Sequence, residues 1–148
     1  MAGLFGYLCT LDREAISWMK RFGVPLLRVS IAVVFIWFGA LKVFSVSPAA
    51  ELAGMTMSWL IPPAVFVPLL GIWEMLIGLC FLHKRLIRAG IVSLVLHMPG
   101  TFLPFILLPE VVFQGANPLV LTMEGQYIIK NLLIISGAIV VGSTLKES

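Results

Sequence analysis

Four apolar blocks separated by short polar interruptions run along the chain, at residues 24–44, 63–82, 86–108 and 126–145. Each holds about 20 residues, and at about 1.5 Å per residue an α-helix of that length crosses a hydrocarbon layer about 30 Å thick. The pattern predicts an all-α fold, an integral membrane four-helix bundle forming a single domain over residues 1–148. Before the first block, residues 1–22 mix Leu4, Phe5, Tyr7, Leu8, Ile16, Trp18 and Met19 with Asp12, Arg13, Glu14, Lys20 and Arg21. That mixture suits an interfacial N-terminal helix with its basic side chains toward anionic headgroups; the alternative is a frayed tail that orders only in a complex. Between the first two blocks, Ser47-Pro48 reads as a helix start. It opens a short helix carrying Glu51, Met55, Met57 and Trp59, expected to lie across the outer interface. His83 to Arg85 is too short for anything but an antiparallel hairpin. Residues 109–125 form the longest polar connection, with Gly115, Asn117 and Pro118 as turn formers.

Composition supports the same picture. Of 148 residues, 60% are hydrophobic and only 11% charged, with a mean hydropathy of +1.08, so most of the surface must face something other than water. The net charge of +3 belongs to topology rather than to nucleic-acid binding, which is not expected. Arg13, Lys20, Arg21, Arg28, Lys84, Arg85, Arg88 and Lys146 fall on one side of the four-span scheme, leaving Lys42 and Lys130 on the other. The basic side is cytoplasmic by the positive-inside rule, so both termini are expected there, in an inner (plasma) membrane. The translocated 109–125 connection carries Glu110 and Glu124 and no Lys or Arg. The first residues lack the pattern of a cleaved secretory signal, and the first span is expected to direct insertion. Cys9 and Cys80 have no spacing suited to a redox dithiol or a zinc site and read as packing residues.

Ionisable groups inside the spans are the informative ones, because hydrocarbon penalises each by several kcal/mol. Arg28 and Lys42 in span one lie within about 40° of each other, with Gly39 on the same face; either both look into the bundle or both snorkel to headgroups. Glu74 in span two is too deep for its short side chain to reach water and needs a partner or a proton. Arg28 at comparable depth is the expected partner, as a structural clamp or as part of a ligand or proton site. Gly71, Glu74 and Gly78 share a face that admits close helix approach. In span three Gly90, Ser93, His97, Gly100, Thr101 and Pro104 form a small and polar stripe. It reads as a packing surface, or as a cavity wall on which His97 donates a hydrogen bond, carries a proton or contacts a quinone carbonyl. Arg28, Glu74 and His97 thus form the candidate intramembrane site. Lys42, Lys130 and Asn131 form a candidate outer-face site, read either as interfacial anchoring or as a pocket roofed by the Met55 to Trp59 segment. Haem ligation is not expected, since His83 lies in the inner turn, and one histidine is too few for most metal sites. No catalytic residues are assigned.

The first span, LLRVSIAVVFIWFGALKVF, with Arg28, Gly39 and Lys42, the second, LLGIWEMLIGLCF, with Gly71, Glu74 and Gly78, and the fourth, EGQYIIKNLLIISGAIVVG, with Glu124, Gly125, Lys130, Asn131 and Gly137, resemble those of the DoxX-like family of small four-helix membrane proteins. The fourth span and the Pro109-Glu110 connection are similar to its YkgB/RclC-like branch of bacterial inner-membrane proteins. The resemblance covers most of the chain beyond residue 22. It implies a four-helix bundle acting, in some relatives, as the membrane subunit of a quinone-linked oxidoreductase, or in maturation or oxidative-stress protection. The expectation is a non-catalytic subunit or accessory protein of a redox-linked inner-membrane complex, with quinone as the candidate cofactor and another membrane or redox protein, or a second copy, as partner. A small proton- or cation-coupled transporter or channel using Glu74 and His97 is the alternative. An enzyme working through Glu74, His97 and Lys130 is a third reading, set against the absence of a soluble redox domain and of a complete catalytic set.

Overall fold

The structure is a computed structural model that describes residues 2–145 apart from Ala116, with residues 2–10 described by their backbone alone. Lys146 lies outside the described residues, as does the side chain of Cys9. Among the described residues, short and long elements follow one another: α1 (Ala2–Val43), α2 (Ala50–Met57), α3 (Pro63–Leu82), α4 (Ile87–Phe102), α5 (Pro104–Leu107), α6 (Pro109–Val112), β1 (Phe113–Gln114), β2 (Asn117–Leu121), α7 (Met123–Ile129) and α8 (Asn131–Ser143). Four helical runs among the described residues, Leu11–Val43, Pro63–Leu82, Ile87–Leu107 and Met123–Ser143, are long and apolar enough to cross a membrane. The bundle is therefore α-helical with the expected four long helices.

Proline chemistry sets several boundaries. Pro63 opens α3 where a missing N–H costs nothing. Pro104 cannot donate to the Gly100 carbonyl, and α4 gives way to α5 at Leu103. Lys130 separates α7 from α8, yet its N–H still donates to the Gln126 carbonyl at 3.2 Å, so the two form one run.

The core lies between α1, α3, α4 and α8. Ile31, Ala32 and Phe35 meet Ile77 and Phe81, Ile87, Leu94 and Met98, and Ala138 and Val141. In α3 the buried positions are Val67, Gly71, Glu74, Ile77, Gly78 and Phe81, a three-and-four spacing that keeps one stripe inward. The opposite faces are exposed and apolar, including Val33, Trp37, Leu69, Leu76, Val92, Leu96, Leu133 and Ile139.

Three sequence expectations change. The N-terminal segment is helical, but it continues without a break through Gly23 and Pro25 into the first long helix, giving 42 residues in one element instead of a separate interfacial helix. The short helix starts at Ala50, two residues after Pro48, and the Ser47 hydroxyl does not cap it. The 109–125 connection is not merely a loop: β1 and β2 pair antiparallel, Phe113 with Leu121 and Gln114 with Asn117, around Gly115 at φ +56°. A two-stranded hairpin thus tops the α-helical bundle. Thr122 ties it down by donating to the Val111 carbonyl at 2.7 Å and accepting from the Gly125 N–H at 3.1 Å as the N-cap of α7.

Candidate functional site

The site is built by the register of α3 against its two neighbours. Gly39 of α1 and Gly71 of α3 face each other so closely that a Cβ on either would stand 2.5 Å from the other's carbonyl oxygen. Two turns along, a Cβ on Gly78 would meet the Ala32 carbonyl at 2.8 Å. Small residues thus let the two backbones touch, as the shared face of Gly71, Glu74 and Gly78 predicts. The same packing sets Lys42 level with Gly71, since a Cβ there would lie 2.9 Å from the Lys42 Cβ. Glu74 is three residues further along α3. The helices run antiparallel, and side chains lean toward their own helix N-terminus, so Lys42 and Glu74 lean toward one another. On the other side, Gly90 of α4 packs on Cys80 and Phe81 of α3. Seven residues along α4 from Gly90 is His97, and seven residues along α3 from Phe81 in the same direction is Glu74.

The result is a three-residue polar centre inside the bundle. Lys42 Nζ donates to Glu74 Oε2 at 2.6 Å, and His97 Nε2 lies 3.5 Å from Glu74 Oε1. Lys42, Glu74 and His97 are only 6%, 7% and 9% exposed. Phe35 closes one flank, its ring edge-on to the His97 imidazole at 5.7 Å. Taking a carboxylate and an ammonium out of water costs several kcal/mol each, which the direct contact offsets only because it is short and shielded. Lys42 also sits in the last turn of α1, where the carbonyl ends of the helix favour a cation.

Arg28 does not join this centre. Its Nη2 donates to the Leu82 carbonyl at the far end of α3, at 3.3 Å, and its Nε is buried without a hydrogen-bond partner among the described residues. The expected Arg28 to Glu74 pair rested on the two residues lying at comparable depth. Instead Val43, the last residue of α1, packs level with Gly71, eight residues inside the start of α3, which is about 12 Å. Helix α2 occupies the space this leaves, with Gly54 against Pro63 and Val67. Shifting α1 by that amount moves Arg28 away from Glu74 and brings Lys42 to it.

The outer-face set likewise separates. Lys42 turns inward, whereas Lys130 is exposed, its ammonium 5.5 Å from the centre of the Tyr127 ring, and Tyr127 packs edge-on against Phe38. Asn131 is half-buried, and Glu110 and Glu124 are exposed. Trp59 is exposed, with its Nε1 donating to the Thr56 carbonyl at 3.1 Å. Along the α4 stripe, Gly90 serves packing and His97 the polar centre, Thr101 bonds back to the Met98 carbonyl at 2.8 Å, and Gly100 faces open space. An apolar groove of about 280 Å³ runs beside it between α4 and α8, lined by Leu94, Val95, Met98, Pro99, Phe102 and Ile135.

Chemically, the centre holds an ion pair and a second base within reach of one carboxylate, in a dry interior. No protein-family model, curated protein or solved structure matches the chain.

Proposed function

We propose that this chain is a four-span membrane protein that works as a non-catalytic subunit or accessory protein of a redox-linked inner-membrane complex. The observation that carries the membrane half of this reading is the inversion of the surface. Large apolar side chains line the outside of all four long helices, while Lys42, Glu74 and His97 are spent on one another inside. In hydrocarbon that arrangement pairs the three deepest polar side chains with one another, and in water it would leave a broad sticky surface. The redox half is supported by the resemblance of the first, second and fourth spans to DoxX-like proteins.

Quinone fits this chain in part. The groove between α4 and α8 is lined by apolar side chains suited to an isoprenoid tail, but the two donors a headgroup carbonyl would need, Lys42 and His97, are turned to Glu74. A headgroup site would therefore be completed by a partner protein.

Purification of the full chain from its native membrane in mild detergent tests the proposal. A stoichiometric partner is expected, with quinone in the lipid extract of the complex and not of the isolated chain. A monodisperse chain with neither partner nor quinone would reject it.

A proton- or cation-coupled transporter is the second reading, favoured by the 3.5 Å approach of His97 to Glu74 midway along their helices. Ion flux in proteoliposomes that is lost in Glu74→Asp and in His97→Gln, with both variants folded, is its signature; flux indifferent to both excludes it.

A further inference from the structure

We propose that the N-terminal part of α1 is a hinged arm that docks on the anionic lipid leaflet at the Arg28 end of the bundle; this rests on the membrane reading above. Helix α1 has 42 residues, about 63 Å at 1.5 Å per residue, roughly twice the hydrocarbon thickness. Its packing on the core begins at Val24 and Leu27, and every residue from Leu11 to Gly23 is exposed. The exposed stretch has two unlike faces. Leu11, Ala15, Trp18 and Phe22 recur at four- and three-residue spacing along one side, with Met19 beside them, and Arg13, Ser17 and Lys20 occupy the opposite side together with the single apolar Ile16. Trp18 and Phe22 pack together with ring centres 5.2 Å apart, and the Arg21 guanidinium lies 5.3 Å above Phe22. Such a helix, projecting straight into water, would leave Trp18 and Met19 more than half exposed with nothing apolar to meet.

Charge decides which surface covers it. The same end of the molecule gathers Arg13, Lys20, Arg21 and Arg28 with Lys84 and Arg85 from the α3 to α4 turn, against Asp12 and Glu14 among the described residues of α1 and that turn. The Arg28 bond to the Leu82 carbonyl ties the two groups together. An anionic leaflet is the complement of that field, and aromatic and apolar side chains opposite a basic face are what its headgroup layer accepts. The hinge is in the chain as well. Pro25 has no N–H for the Arg21 carbonyl, and Gly23 has nothing within 4 Å of the position a Cβ would take. Both features lower the cost of bending α1 where it leaves the bundle.

The test uses the full chain, with Cys9→Ser and Cys80→Ser, carrying a single fluorescent label at Met19→Cys, Ser17→Cys or Leu96→Cys. Nanodiscs are made of phosphatidylcholine alone or mixed with phosphatidylglycerol, and brominated lipid serves as the quencher. With the anionic lipid present, the label at 19 should be quenched and the label at 17 should stay in water. Each basic residue held at an anionic surface is worth about fivefold in partitioning, so combining Arg13→Gln with Lys20→Gln should lower the docked-to-free ratio about 25-fold. A label at 19 that stays in water while that at 96 is quenched overturns the proposal and leaves the membrane reading standing. Protection at 19 that requires two copies per disc, or a bound protein, overturns it in favour of that occupant. Failure to quench the label at 96 sinks the membrane reading itself.

Discussion

At the scale of single residues, Glu74 decides the chemistry of the interior. Its carboxylate accepts from Lys42 Nζ at 2.6 Å and has His97 Nε2 at 3.5 Å, so removing its charge strands an ammonium in a dry core. Glu74→Gln should therefore destabilise the protein by about 3–5 kcal/mol, whereas Lys42→Met combined with Glu74→Leu should regain most of that loss, because an apolar pair has no charge to desolvate. Denaturant unfolding in mixed micelles compares the two variants. If the single variant proves as stable as the double, the pair is not shielded from water. Ser45 offers the opposite sign of change. It follows α1 in a left-handed conformation, φ 57°. Its N–H donates to the Lys42 carbonyl at 3.1 Å, and the Val46 N–H donates to the Leu41 carbonyl at 3.0 Å. This is a Schellman cap with serine where glycine is favoured. Ser45→Gly should raise stability by about 1 kcal/mol, the cost a Cβ carries in that conformation; an unchanged or lower unfolding midpoint would contradict the cap.

At the scale of elements, the contact between α1 and α3 is the one that tolerates least change. A Cβ on Gly71 would collide with the Gly39 carbonyl and the Lys42 side chain, while one on Gly100 would meet nothing. Gly71→Ala should therefore lose about 1–3 kcal/mol through forced separation of the helices, and Gly100→Ala should not lose stability; thermal unfolding in one detergent ranks them, and equal losses would refute the close approach. How far each element was legible in sequence follows from where its information lies. Helix α3 spans Pro63–Leu82, the predicted boundaries, because Pro62-Pro63 and the basic turn at His83 are local signals. The shared inward face of Gly39 and Lys42 was readable from the helical angle. Partner choice was not, since Arg28 and Lys42 lie on one face and only the axial offset of α1 selects between them. A signal for that offset existed: setting Gly39 against Gly71, the two small residues of facing stripes, places Lys42 nearer to Glu74 along the axis than Arg28, about 9 Å against about 12 Å. The hairpin of β1 and β2 escaped notice because Asn117 to Leu121 is short and includes Pro118, a poor strand residue except at an edge.

At the scale of the whole molecule, orientation is the property that every membrane argument shares. The Arg28 bond to the Leu82 carbonyl puts Arg28 beside the turn that carries Lys84 and Arg85, and α8 returns to that end, with Gly137 against Leu27 and Ile31. The hairpin of β1 and β2 lies at the other end of α4, where residues 109–125 hold Glu110 and Glu124 and no basic side chain. Since positive charge in short connections resists translocation, the Lys84 turn should stay inside the cell and the hairpin outside. Leu119, 90% exposed, and Lys84 are the reporters. In intact cells expressing a cysteine-free background, an impermeant maleimide should modify Leu119→Cys directly and Lys84→Cys only after the membrane is opened. The reverse pattern would invert the topology and move the basic end, with the exposed arm of α1, to the outer leaflet. Modification of both in intact cells would mean that the four long helices do not cross the membrane in sequence, and the dry interior that holds Lys42 against Glu74 would need another explanation.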